Sequence, residues 1–362
     1  MRVRLLGTAA GGGFPQWNCN CVNCRSVRAG LHGARPRTQS CAAVSADGSG
    51  WFLLNASPDV RQQIEAFPPL LPPIGAQRGT GIEGVLVTNA DLDHTLGLFI
   101  LREGRPLSIH ATPTVRDTLA EGLALERVMD CYCGVEWHAP PSQLRPLLRA
   151  DGTSSGLRYA ALSLAGKPPR YREQGVRRWA LGVKDPMEEG VERLAFSVKD
   201  PTEAANREEG RGKREEKHPT PNAQRLTPAG TDAGVDGHCV GYEIVDETTG
   251  GRLIFLPDVA QLDEIVMARV RDCDVLLLDG TFWSEEEMQT QGVGATPAAR
   301  MGHLPVGGQD GSLARIAPLA GPRRIYVHIN NTNPMLLTDS PERAAVEAAG
   351  CEVGDDGLEL QL

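Results

Sequence analysis

The chain has no excess of positive charge. Its 37 Lys and Arg are outnumbered by 46 Asp and Glu, for a formal net charge of −9, so a nucleic-acid surface is not the expected role. No run approaches about 18 apolar residues, the length a membrane-spanning helix needs. The opening "MRVRLLGTAAGGGF" is too short in its apolar part and too broken by glycine to read as a signal peptide. A soluble cytoplasmic protein is the expectation. An even cysteine count is also lacking: there are nine, and the cytosol keeps thiols reduced, so a disulfide scaffold is not indicated. What remains is an ordinary globular composition, 41% apolar over 362 residues, ample for a core.

Three of the nine cysteines crowd one stretch. "FPQWNCNCVNCRS", residues 14–26, holds Cys19, Cys21 and Cys24 as C-x-C-x-x-C. Cys19 and Cys21 lie too close for an easy mutual disulfide. Three thiolates from one turn suit tetrahedral Zn²⁺, with a fourth ligand from elsewhere; the bland alternative is a set of incidental buried thiols. Cys41, Cys239, Cys273 and Cys351 read as small core residues, and Cys131 and Cys133 as a weak second thiol pair.

The rest alternates short β-rich runs with helical patterns. Strands are expected at 2–6, 41–45, 51–55, 84–88, 107–110, 252–256, 274–278 and 324–328. Helices are expected at 58–67, with Ser57 as N-cap and Pro58 in the first turn, at 262–271, and at 341–349 between Ser340 and Gly350. Sheets with helices packed outside follow, α/β or α+β rather than a bundle. From about 167 to 236 the composition turns to charge, Pro and Gly, which predicts a mobile insertion with a short strand around 193–198.

The chemistry gathers where strands end. "GVLVTNADLDHTLGLFILREG" runs from a strand into a turn carrying Asp91, Asp93 and His94. Two carboxylates and an imidazole there can converge on a cation; alternatively Asp91 caps the helix while Asp93 and His94 are solvated. Asp258 ends the strand in "GGRLIFLPDVAQLDEI", and His328 ends that in "RRIYVHINNTNP". A lone strand-end His or Asp is usually just hydrogen-bonded, but open α/β architectures place sites at carboxyl ends of strands. His303, in "MGHLPVGG", sits in a loop where an imidazole is free to act as acid or base.

These motifs resemble a known family. "TNADLDH" is similar to the H-x-H-x-D-H motif of the metallo-β-lactamase fold, with Asn89 and Asp91 in place of the first two histidines. With "LLGTAAGGGFPQWNCNCVNC", "LLLDGTFW", "MGHLP" and "HINNTNP", the chain resembles the branch that serves pyrroloquinoline quinone (PQQ) biosynthesis, over nearly its whole length outside the insertion. The resemblance implies one α+β domain over 1–362: a four-layer αβ/βα sandwich of two packed mixed sheets, helices outside, the metal site at one edge.

It also implies roles. Asp91, Asp93, His94, Asp258 and His328 fall at the metal-ligand positions, and His303 and Asp93 at catalytic ones. Cys19, Cys21 and Cys24 match a structural zinc knuckle. Its fourth position, a histidine in related phosphodiesterases, is Asn331 here, which leaves that ligand open. His238 stands near the third-motif histidine. Fewer imidazoles and more carboxylates resemble the ligand set of non-haem Fe(II) oxygenases. The implied cofactors are therefore structural Zn²⁺ and Fe²⁺ or another divalent metal. The implied reaction is iron- and oxygen-dependent hydroxylation of the tyrosine ring of a Glu–Tyr-derived PQQ precursor. The partners implied are that precursor and other PQQ-biosynthesis enzymes, with no nucleic acid and no membrane span; a homodimer stays open. The competing readings are a metal-dependent hydrolase, with two metals sharing Asp258, and a non-catalytic carrier of PQQ or its precursor assisting transport to the periplasm.

Overall fold

Apolar strands buried on both faces organise the molecule. In the computed structural model, which describes residues 1–31, 33–172 and 234–362, fourteen strands lie among the described residues. Six come first: β1 (Arg2–Gly7), β2 (Cys41–Ser45), β3 (Trp51–Leu54), β4 (Ile82–Leu86), β5 (Leu107–His110) and β6 (Val135–His138). Seven more follow: β7 (Arg145–Leu148), β8 (Ser154–Ser163), β9 (Val240–Asp246), β10 (Arg252–Leu256), β11 (Val275–Asp279), β12 (Arg323–Val327) and β13 (Glu352–Val353). The last, β14 (Glu359–Gln361), returns to pair with β1.

They form two seven-stranded sheets, ordered β14-β1-β2-β3-β4-β5-β6 and β13-β12-β11-β10-β9-β8-β7. Each sheet is mixed. Strands β3 to β6 run parallel in the first, and β10 to β13 in the second, while the remaining pairs are antiparallel.

Alternation along each strand makes the layers. Phe52 and Leu54 join Leu253, Phe255 and Leu277 in a core between the sheets. Their neighbours Trp51 and Leu53 face Val60 and Phe67 on the outside of the first sheet. Ile254, Leu256 and Leu276 face Val266 and Val270 outside the second. Helix, sheet, sheet, helix: this is the four-layer α+β sandwich.

Several boundaries differ from the sequence reading. The helix expected at 58–67 spans only Val60–Glu65. Ser57 is not its cap; its hydroxyl donates to Gln63 Oε1 (3.1 Å) and accepts from Asp59 N (3.2 Å). Asp59 occupies the cap position, but its carboxylate is taken by Gln39 N and Nε2 (2.9 and 3.0 Å). The 262–271 helix starts at Glu264, where Asp263 accepts from Val266 N. The 341–349 helix is Pro341–Ala348, capped by Ser340 as expected. Strands β6, β7, β8, β9, β13 and β14 were not anticipated, because their sequences lack a sustained apolar run.

The 167–236 insertion and its strand at 193–198 lie largely outside the described residues. Its described flanks are tied down. Lys167 Nζ donates to Arg300 O (2.6 Å), Tyr171 Oη to Ala90 O (2.7 Å), and Asp236 Oδ1 accepts from Thr114 N (3.0 Å). No described helix is long and apolar enough to cross a membrane.

Candidate metal centre

The site is assembled at the carboxyl ends of β4, β10, β11 and β12, where parallel strands release their chains into loops. Beyond β4, Asn55 reaches across from the end of β3. It holds a left-handed backbone (φ 66°), and its Oδ1 accepts from Thr88 N (2.9 Å). Thr88 Oγ1 in turn lies 3.1 Å from His94 Nδ1. His94 is fully buried, and its other nitrogen, Nε2, is buried with no hydrogen-bond partner. A buried imidazole nitrogen without a partner is costly. A bound cation would supply what is missing.

Asp93 and His94 share the short helix Leu92–Thr95. Asp91 stands at the N-cap position of that helix, but its carboxylate makes no capping bond; its carbonyl instead accepts from Thr95 Oγ1 (2.8 Å). The capping alternative for Asp91 therefore fails. His94 is not solvated either.

Asp93 Oδ2 lies 3.1 Å from His328 Nε2 and 3.8 Å from His94 Nε2. His328, just beyond β12, adopts a left-handed φ of 54°, a conformation β-carbons resist and that often marks function. Asp258, beyond β10, accepts from Asn89 Nδ2 (2.8 Å) and approaches His94 Nδ1 (3.3 Å). Its other oxygen is 3.7 Å from His303 Nδ1 and 3.6 Å from His328 Nδ1.

Two metal-holding groups result, Asp93–His94–His328 and Asp258–His303–His328, each with ligand atoms within 4.8 Å of one another. Asp91 belongs to neither; the residue is exposed by surface area, yet burial of its carboxyl and the nearby Asp93 and Asp258 carboxylates raise its pKa to about 6. His238 also belongs to neither.

The electrostatics are those of carboxylates and imidazoles sharing a desolvated space. Burial alone would protonate Asp93, but His94 and His328 outweigh it and hold the carboxyl well below its usual range. Burial opposes charge on His328, yet Asp258, Asp93 and Asp279 raise it to about 10. His303 is raised likewise, against its burial, by Asp279 and Asp258. Such a cluster binds protons tightly when metal-free, so a metal must displace them.

The cysteine stretch forms a third group, Cys19–Cys21–Cys24, all buried. The Asn331 side-chain amide sits over it, with Nδ2 3.1, 3.6 and 3.3 Å from the three sulfurs in order. A half-turn of the amide carries Oδ1 to the same point, so the donor set fits a Cys₃ site with an amide oxygen. Asn23 Nδ2 donates to Asn331 O (3.1 Å) and Asn333 O (2.9 Å). The knuckle thus braces the turn that follows His328. Cys131 is exposed and Cys133 half-buried, and neither joins a metal-holding group.

The motif "LLLDGTFW" supplies two further residues of the site that its local pattern does not single out. Asp279 and Thr281 prove to pack directly against His303 and His328, with Asp279 Oδ2 2.8 Å from His303 Nδ1 and Thr281 Oγ1 2.8 Å from His328 Nδ1. The signal was there: a strand-end carboxylate, like Asp258, in the neighbouring parallel strand.

Known proteins agree with this architecture. The beta-lactamase superfamily domain matches residues 50–184 and 174–329. The coenzyme PQQ synthesis protein B of Nitrosococcus oceani is 36% identical over 363 residues, covering 100% of both chains. The chain belongs to the coenzyme PQQ synthesis protein B family. Another member, from Methylococcus capsulatus, is 37% identical over 369 residues, again covering 100% of each. A crystal structure from Methylobacterium extorquens, described as Zn²⁺-bound PqqB, superposes with a TM-score of 0.75 at 36% identity, covering 100% of both chains. The metallo-β-lactamase fold of the chain is thereby established, and its Cys and His/Asp clusters support a metal-binding role.

Proposed function

We propose that this family member is a metal-dependent oxidoreductase of PQQ biosynthesis that hydroxylates the tyrosine ring of a Glu–Tyr-derived precursor. One observation carries the reading: Asp93, His94 and His328 form a two-histidine, one-carboxylate group. That is the donor set of non-haem iron oxygenases. Fe(II) bound there would supply oxygen activation.

The protein's own residues do the rest. Asp93 brings a carboxylate that stays ionised. His94 offers its unpartnered Nε2. His328 offers Nε2, since its Nδ1 is engaged by Thr281 (2.8 Å). Asp258 and His303 border the group, and His303, on its bond to Asp279, can hold or pass a proton. Asn89 keeps Asp258 oriented. At the knuckle, Cys19, Cys21, Cys24 and Asn331 would hold structural Zn²⁺.

The hydrolase alternative needs two ions. Both metal-holding groups draw on His328, which has one nitrogen to give, and this favours a single ion.

The test is anaerobic loading with Fe(II), then O₂ with a Glu–Tyr-derived substrate and ascorbate as two-electron reductant, read by mass spectrometry. One oxygen atom should enter the ring and the other leave as water. His94→Ala and His328→Ala should abolish the oxygen-dependent product without unfolding the protein, while His303→Ala keeps metal but slows turnover. Wild-type rates in either ligand variant would refute the reading.

A further inference from the structure

Four hydrogen-bond donors converge on one buried carboxylate behind the metal centre. Asp279, 1% exposed at the end of β11, receives Val259 N on Oδ2 at 2.9 Å, and the same oxygen lies 2.8 Å from His303 Nδ1. Its Oδ1 receives Thr281 N at 2.9 Å and Thr281 Oγ1 at 2.6 Å. A carboxylate has about four acceptor sites. All are taken.

This pattern dictates where protons sit. The Thr281 hydroxyl has one hydrogen and three possible acceptors in reach, Asp279 Oδ1 at 2.6 Å, His328 Nδ1 at 2.8 Å and the His328 carbonyl at 2.9 Å. The nearer and charged oxygen takes it. Thr281 Oγ1 can then only accept from the ring nitrogen 2.8 Å away, His328 Nδ1. His303 Nδ1, facing Asp279 directly, must carry a hydrogen for the same reason.

We infer that Asp279 is a positioning residue that sets two histidines at once, His303 directly and His328 through Thr281, so that each turns Nε2 to its task. The proton assignments stand on geometry alone; their consequence for metal binding rests on the reading proposed above.

The carboxylate has no neutral substitute here. In Asp279→Asn the amide NH₂ must face one side or the other. Facing His303, it forces Nδ1 of that ring to become an acceptor. Facing Thr281, it turns the hydroxyl off Oδ1 and onto its other partners, the His328 carbonyl (2.9 Å) or Nδ1 (2.8 Å), so the hydrogen bond to the ring is altered. Either orientation also sets NH₂ against a backbone N–H, of Val259 or of Thr281.

The experiment uses the full chain with ¹⁵N-labelled histidine, the knuckle filled with zinc, and the centre first empty and then titrated with zinc. The expected wild-type signature is a downfield, exchange-protected Nδ1–H on both His303 and His328, with or without metal at the centre. Thr281→Val should lose that of His328 alone and weaken zinc at the centre by about 10- to 100-fold. Thr281→Ser, which restores the hydroxyl, should recover both. Asp279→Asn should lose the His303 signal or shift that of His328. A wild-type protein lacking Nδ1–H on either ring overturns the inference, as does Thr281→Val with the His328 signal and zinc affinity unchanged. If both signals are present but the centre takes no metal, the metal-centre reading falls and the positioning assignment stands.

Discussion

Glu287 offers a quantitative test of how the turn carrying Asn331 is supported. The residue is 4% exposed. Its Oε2 accepts from Trp283 N (2.6 Å) and its Oε1 from Thr332 Oγ1 (2.5 Å), which in turn receives Asn330 Nδ2 (2.5 Å). Burial, with the Glu342 carboxylate adding to the push, raises its pKa from 4.5 to about 7. Hydrogen bonds from Thr332, Trp283 N and Ser284 N only partly offset this.

For an acid with a raised folded pKa, the native state binds more protons than the unfolded state between the two values, so stability falls as pH rises through that window. Between 4.5 and about 7, at about 1.4 kcal/mol per pH unit, the full penalty is about 3 kcal/mol. Between pH 5 and pH 8 it grows by about 2.5 kcal/mol. Glu287→Gln removes the titration but gives up one acceptor, a pH-independent cost of about 1 kcal/mol. In urea denaturation of zinc-saturated protein, the variant should be comparable to or weaker than wild type at pH 5. It should be more stable by about 2 kcal/mol at pH 8. Other titrating groups are common to both proteins and cancel in the difference. Parallel stability curves would refute the argument, because they would mean that Glu287 is already ionised at low pH or is reached by water.

Two other perturbations address the metal sites. Cys21→Ser should release zinc from the knuckle and lower Tm by several degrees, since metal binding there is linked to folding; full zinc stoichiometry with unchanged melting would show the knuckle assignment to be wrong. Gly11→Ala would place a β-carbon 3.2 Å from Asp93 Oδ2, tight enough to displace that carboxylate by a few tenths of an ångström. Metal affinity at the centre, measured against a competing chelator, should fall about tenfold while melting of the metal-free protein is unchanged; equal affinity would mean that Asp93 is not a ligand.

By itself the sequence determined the local elements with strong patterns and the residues with strong chemistry. Strands β2, β5 and β10 were legible to the residue because they are short apolar runs between polar breaks, and Ser340 announced its helix by an N-cap followed by proline. The C-x-C-x-x-C spacing stood out because local spacing alone brings three sulfurs together. Asp93, His94, Asp258 and His328 stood out as reactive side chains at strand ends. Only the tertiary structure decided what each of them touches. Asp93 and His328 are 235 positions apart in the chain yet lie 3.1 Å from each other, and no local pattern encodes that distance. Asp91 and Asp93 look alike in the chain, but only Asp93 joins a metal-holding group. Asp279 read as the end of an apolar strand until folding set His303 and Thr281 on its two oxygens. A carboxylate's role is fixed by the donors that surround it, and those of Asp279 arrive from the ends of two strands and a distant loop.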